Sequence, residues 1–378
     1  MLTGNLRIRV LQLHRWAGLT IGLVILMVAV TGAINLFRPT LEPLVDRDLL
    51  SVPACADSVS IATMTANARA AHQGAELDYV RLARAREGAQ RIPVARIRFT
   101  DQVFVFLNPC TGEALGERHR YGGFLASVEQ LHIVRYGEDR SYFTPICAIA
   151  FAFVLVIGGI ALWWPGRGRR MRDALRSPTR FPAGFARRLQ LHKVTGVFSG
   201  LVLLALVLTA LPLSFDWYRD ALYSITGSQK AGKMPPSILP AGDAKRLPID
   251  VIWTQAQQIV PNWNEVLLHY PVKRKAPYDM YIIERDAPHP NARTMLYLDA
   301  YSGAVLRHTP YAQSSLGHKL YFWTVSFHTG QWGGWPVKLI LLAGAFSVPV
   351  LAYTGIATWL RRRRNAVQRA PAVATPAS

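Results

Sequence analysis

The chain has 378 residues, with 43 Lys and Arg against 23 Asp and Glu, a net charge of +20, yet 51% of its residues are hydrophobic. In a soluble protein such a balance would point to nucleic acid, but here the arginines cluster beside long apolar stretches, where they set membrane orientation instead. Three cysteines and no C-x-x-C argue against an iron–sulfur or zinc site.

Residues 1–37 carry Arg7, Arg9 and Arg15 and then an apolar span over Trp16–Phe37. That core exceeds the 7–15 residues of a signal peptide and no small-x-small cleavage site follows it, so it is expected to remain as an anchor. Residues 38–141 are polar. They contain an expected helix at Ser58–His72, strands at Asp78–Ala83 and Val94–Thr100, the strand–turn "VFVFLNPCTGEAL", and an apolar-aromatic helix that ends at His132 before Gly137. Cys55 and Cys110 fall in this segment. An oxidising compartment would allow them to bridge, and the sequence leaves a disulfide and two free thiols equally open.

A second span occupies 142–164 and holds Cys147. The loop 165–193 is basic, with Arg167, Arg169, Arg170, Arg172, Arg176, Arg180, Arg187 and Arg188, and a third span follows at 194–215. Residues 216–336 repeat the earlier order: a helix at Ile249–Val260, strands at Asn264–Tyr270 and Asp279–Glu284, "TMLYLDAYSGAVL", and an aromatic helix that ends at His328 before Gly330. The fourth span, 337–360, leads into Arg361–Arg364 and a basic tail, 361–378. Each span supplies the roughly 20 residues that cross a hydrocarbon core of about 30 Å. The positive-inside rule places both termini and the basic loop in the cytoplasm, with the two long segments outside.

The expected fold is therefore an α-helical membrane protein with four transmembrane helices in two tandem repeats, each with an external α+β module. Asn108 matches Asp299 and Gly112 matches Gly303 in the two strand–turns. Repeats of the same orientation imply a symmetry axis along the membrane normal.

The duplication pairs the histidines. His14, Gly18 and Gly22 recur as His192, Gly196 and Gly200, and positions i, i+4 and i+8 share a helix face. A histidine above a glycine-cleared stripe leaves room for a flat, broad cofactor, although glycines at this spacing also serve close helix packing. His132 and His328 are matched in the same way just outside spans two and four. Two levels of paired imidazoles suit two six-coordinate haem irons, since porphyrin supplies four nitrogens and no Cys, Asp or Glu lies near His14 or His192 to complete another metal site. The absence of C-x-x-C-H makes the haems non-covalent, b-type. Arg15 and Lys193 are placed to meet propionates. His318, ten residues before His328, is the rival outer ligand, and His72, His119, His269, His289 and His308 read as surface groups.

The span starts "LHRWAGL" and "LHKVTG", the strand–turns "NPCTGEAL" and "DAYSGAVL", the "LH" at 131–132 and "FHTGQWGGW" together resemble the PepSY-associated transmembrane family of iron-regulated membrane proteins. The resemblance covers nearly the whole chain and is strongest to a bacterial inner-membrane ferric-siderophore reductase. It implies a four-span bundle, periplasmic PepSY modules and two bis-histidine b haems on His14, His192, His132 and His328. The expected activity is a haem-dependent transmembrane ferric reductase that releases Fe²⁺ from a siderophore outside the inner membrane. Tyr121, Tyr136, Tyr321, Trp323 and Trp332 are aromatic candidates for the substrate pocket. No G-x-G-x-x-G opens a nucleotide site, so the electron donor would be a membrane quinol or a separate cytoplasmic reductase. The competing readings are a non-redox PepSY scaffold or peptidase regulator, and a transporter.

Overall fold

The computed structural model describes residues 4–135, 141–165, 170–229, 232–240 and 244–368. Tyr136, Gly137, Arg167, Arg169 and residues 369–378 of the expected basic tail lie outside the described residues. The chain divides into two compact units, one drawn from Met1–Leu36, Val128–Ser214 and Gly333–Ser378, the other from Phe37–Ser127 and Phe215–Trp332.

Three helices of the first unit are long and apolar enough to cross a membrane: Phe143–Trp163, Phe185–Ser214 and Gly334–Asn365. The pair Gly4–Leu19 and Ile21–Leu36 qualifies together, bent by 49°. The bend falls inside the span expected at Trp16–Phe37. At the break the Thr20 hydroxyl donates to the Trp16 carbonyl at 3.0 Å.

The third helix starts at Phe185, earlier than the expected 194, so His192 lies within it rather than ahead of it. Gln190 of that helix donates to the Ala174 and Arg176 carbonyls at 3.0 and 2.9 Å, holding part of the basic loop against it. The last helix continues to Gln368 and includes Arg361–Arg364. Glycines bring these helices close. A Cβ on Gly344 would lie 2.6 Å from Val202 Cγ1, a spacing only glycine accommodates.

The second unit is built on one antiparallel sheet of eight strands. In chain order the strands are β1 (Ser51–Pro53), β2 (Leu77–Ala83), β3 (Arg91–Pro93), β4 (Ala95–Phe99), β5 (Val103–Leu107), β6 (Ala114–His119), β7 (Trp263–His269), β8 (Tyr278–Glu284), β9 (Arg293–Leu298) and β10 (Val305–Thr309). The main sheet runs β10-β9-β8-β7-β2-β4-β5-β6, and β1 pairs separately with β3. The two polar segments thus share a single sheet, joined where β2 meets β7.

Alternation decides the faces. In β4, Ala95, Ile97 and Phe99 are buried while Arg96 and Arg98 point the other way. The buried face packs on the helices Ile61–Ala71 and Ile249–Ile259 through Ile61, Met64, Ala68, Ile249, Ile252 and Ala256. Each fully buried aliphatic or aromatic side chain there contributes about 1.5–3 kcal/mol. Ser60 caps the first of these helices by accepting from Thr63 N at 3.1 Å, and Asp250 of the second accepts from Ala62 N at 3.1 Å.

The matched turns are alike in detail. Asn108 Oδ1 accepts from Cys110 N at 2.9 Å, and Asp299 Oδ1 from Tyr301 N at 2.9 Å. Gly112 and Gly303 follow at φ +75° and +74°. Both conformations lie in the left-handed region that glycine tolerates without cost. Cys55 and Cys110, left open by the sequence, are joined in a disulfide within this unit.

Candidate functional site: a histidine-lined cavity among the membrane helices

Within the first unit a cavity of about 710 Å³ lies among all the apolar helices. That volume is in the cofactor range of about 300–1,000 Å³. His14 and His192 line it, as do Gly18, Gly22 and Gly196. Around them stand apolar side chains such as Leu155, Val156 and Leu351, with Arg7, Arg15, Lys193 and Arg362 as the basic members of the wall. A Cβ on Gly18 would meet nothing nearer than Leu155 at 3.9 Å, so the stripe stays open. Gly200 is placed differently. It is buried, with Ile160 and Val156 3.3 and 3.4 Å from where a Cβ would stand, and it serves helix packing rather than the cavity wall.

The structure brings His14 and His192 together. Their ring centroids are 6.3 Å apart and their planes stand at 88°. Two imidazoles bound end-on to one metal would have centroids about 6.2 Å apart, from bonds near 2.0 Å and about 1.1 Å from nitrogen to ring centre.

Both rings are also anchored in the way a metal-binding imidazole needs. His14 Nδ1 hydrogen-bonds the Val154 carbonyl at 3.3 Å, and His192 Nδ1 the Leu351 carbonyl at 3.1 Å. A carbonyl only accepts, so Nδ1 carries the proton at each ring and Nε2 keeps its lone pair. Among the described residues no group of three or more His, Cys, Asp or Glu side chains is arranged to hold a bare metal ion. Two imidazole nitrogens are a donor set that fits haem, whose porphyrin supplies the other four ligands.

The carbonyl that receives His14 comes from an irregular stretch. Phe151–Ile157 is π-helical, and the Gly158 N–H bonds to the Phe153 and Leu155 carbonyls. It thereby bypasses Val154, whose oxygen remains available to His14. π turns recur at functional sites.

Each ring edge rests on a glycine of the facing helix. A Cβ on Gly159 would lie 3.1 Å from His14 Cε1, and one on Gly355 would lie 3.3 Å from His192 Cε1. Sequence reasoning missed both glycines. The signal was present, since Gly159–Trp163 reads "GIALW" and Gly355–Trp359 reads "GIATW".

His132 sits against the helix Ile21–Leu36. Its Nδ1 bonds the Val28 carbonyl at 3.0 Å and the Thr31 hydroxyl at 3.3 Å, and a Cβ on Gly32 would be 2.9 Å from its Cε1. His328 belongs to the second unit, where it ends the helix Leu316–His328. His318, near the start of that helix, is buried in the same unit, with its Nδ1 3.5 Å from the Tyr223 hydroxyl and its ring 4.8 Å from Phe322. Burial holds its pKa below the ordinary value.

Of the histidines read as surface groups, His119 and His308 are exposed, but His289 is not. At 5% exposure it bridges the Ser326 and Tyr311 hydroxyls, each at 2.9 Å, and burial lowers its pKa. Spacing gave no sign of this, because both partners come from later in the chain. Among the aromatic candidates, Trp323 packs on Phe327 and Trp332 within its own unit, and Tyr121 lies beside His119.

Apolar membrane-crossing helices around a histidine-lined cavity, with a separate antiparallel sheet unit, define a membrane protein carrying a PepSY-type domain. The family described as the PepSY-associated TM region matches residues 11–362, nearly the whole chain, and the protein belongs to it. No curated protein matches the chain.

Proposed function

We propose that the protein is a four-span, two-repeat b-type cytochrome that carries electrons across a bacterial inner membrane and reduces ferric iron, held by a siderophore, on the outer side. The observation that carries this reading is the His14–His192 pair, two Nδ1-anchored imidazoles 6.3 Å apart on one cavity. In the inner site these residues would present Nε2 as axial ligands. Gly18, Gly22 and Gly196 would leave room for the macrocycle, and Arg7, Arg15, Lys193 and Arg362 would pair with its carboxylates. Bound haem would supply the one-electron chemistry that no side chain here provides.

The same reading keeps His132 and His328, matched by the repeat, as candidate ligands for a second haem. The duplication is supported by the matched turns at Asn108 and Asp299 and by "GIALW" against "GIATW". Both termini and the arginine clusters would be cytoplasmic. The Cys55–Cys110 disulfide suits a sheet unit on the oxidising side. A quinol or a separate cytoplasmic reductase would donate the electron. Reduction loosens a siderophore's hold because Fe²⁺ is less charged and softer than the ion hard oxygen ligands prefer.

The test is the absorption spectrum of detergent-purified protein, oxidised and reduced, with haem counted per chain. Two b haems with low-spin bands are expected. His14→Ala or His192→Ala should leave one, and His328→Ala should abolish reduction of external ferric chelate. Protein without haem, from cells well supplied with it, would overturn the proposal in favour of a non-redox PepSY scaffold.

A further inference from the structure

Two of the candidate ligands are held by the same three-part cradle, whose parts fall at positions i, i+3 and i+4 of one helix. Thr354 lies in the helix Gly334–Gln368 and back-bonds to the Val350 carbonyl at 2.6 Å. That bond uses the only hydroxyl proton, so toward His192 Nδ1, 3.0 Å away, the oxygen can only accept. The Leu351 carbonyl, 3.1 Å from the same Nδ1, is a second acceptor. Gly355 completes the cradle by leaving space for the ring edge.

Thr31 and Gly32 repeat the arrangement around His132. The Thr31 hydroxyl donates to the Met27 carbonyl at 2.8 Å, and His132 Nδ1 meets the Val28 carbonyl and the Thr31 oxygen. At His14 the threonine is replaced by Gly158, and only the Val154 carbonyl remains, at 3.3 Å.

We infer that Thr354 and Thr31 are positioning residues: with the adjacent glycines they fix the Nδ1–H tautomer and the ring plane of His192 and His132, so that Nε2 is presented as the ligand. The inference rests on the haem reading for its consequence, but the tautomer itself is a property of the protein. Two acceptors on Nδ1–H push electron density toward Nε2 and make the imidazole a stronger donor, which favours the ferric state. His192, with two acceptors, is then the stronger donor of the inner pair and His14, with one, the weaker. Thr31-Gly32 and Thr354-Gly355 share more than the dipeptide, which recurs at Thr195-Gly196 without a histidine: in each, the accepting carbonyl, Val28 or Leu351, lies three residues before the threonine. Thr209 back-bonds in the same manner, to the Ala205 and Leu206 carbonyls, but is followed by Ala210.

The experiment compares Thr354→Val and Thr354→Ser in the full chain. Valine keeps the shape and removes the acceptor, whereas serine restores it. Redox titration should show both haems retained in Thr354→Val. One midpoint should rise by about a tenfold change in the oxidised-to-reduced ratio at fixed potential, about 59 mV for a one-electron couple, and Thr354→Ser should return it toward wild type. An unchanged midpoint with haem retained, or failure of serine to rescue, would overturn the inference.

Nitrogen-15 histidine spectra of protein purified without haem read the tautomer independently. His192 should be protonated at Nδ1 in the wild type and lose that preference in Thr354→Val. A fixed Nδ1–H tautomer in a protein that never takes up haem would support the cradle while defeating the proposed function. A mixed tautomer in the wild type would defeat the cradle.

Discussion

Breaking the Cys55–Cys110 bridge should loosen a defined part of the sheet unit by a calculable amount. The two cysteines are 55 residues apart. Cross-linking a loop of that length removes denatured-state entropy worth about 4 kcal/mol at 25 °C, which is about three decades in an opening equilibrium. The loop encloses the helix Ile61–Ala71 and strands β2 to β5. Its mouth is closed by Val59 N donating to the Pro109 carbonyl at 2.8 Å and by Asn67 Nδ2 donating to the Gly112 carbonyl at 2.8 Å.

Hydrogen exchange of the detergent-purified full chain, wild type against Cys55→Ser/Cys110→Ser, reads the change directly. Amides of 59–71 and 108–114 should exchange on the order of a thousandfold faster, and those of β8 and β9 should change far less. Exchange within threefold of wild type over 59–71 would refute the entropy argument, since the bridge would then hold nothing the packed helix does not already hold.

Gly303→Ala should destabilise the sheet unit by about 1–3 kcal/mol, because its φ is +74° and the new Cβ would stand 2.0 Å from Gln255 Oε1. Adding Gln255→Ala should recover the clash but not the backbone strain, and full recovery of the melting temperature would contradict this. His72 is expected to make the same unit pH-sensitive. Its hydrogen bond to Asp101, with a further one to Glu117, outweighs burial and raises its pKa above 6.5. A raised folded-state pKa gives stability that is complete below pH 6.5 and is lost as pH climbs through the folded value. The melting temperature should fall over that rise in the wild type and stay flatter in His72→Gln.

Local pattern carried far in the sequence. The helices at Ile61–Ala71 and Ile249–Ile259 and the strands β2, β4, β7 and β8 fall within a few residues of the expected positions, because two-residue alternation and apolar helix faces are short-range signals. What required three dimensions was less visible. The β2–β7 junction joins residues more than 180 apart, and no local pattern marks a strand's partner. Gly18, Gly22 and Gly196 stand out by spacing from a histidine on their own helix. Gly159, Gly355 and Gly32 face histidines on other helices, so period and spacing cannot connect them. Gly200 matches the pattern of the first group yet packs against the helix Phe143–Trp163, since helical spacing fixes a face and not what covers it. Thr31 and Thr354 look like ordinary span residues until their back-bonds leave a lone pair facing an imidazole.

The β2–β7 seam has a consequence for ancestry. Both strands have seven residues, and Arg81 pairs with Leu267, so the fifth residue of one lies opposite the fifth of the other. Such a pairing is isologous: each strand offers its neighbour the same stretch it receives. On the two-repeat reading proposed above, a shorter ancestor with one half of the chain would have presented this strand as a bare edge, complementary to the edge of an identical copy. Gene fusion would then have turned a homodimer's contact into an internal seam, freeing the two copies to diverge. The unequal anchoring of His14 and His192 is the kind of difference that a symmetric dimer, with both halves encoded by one sequence, could not have held.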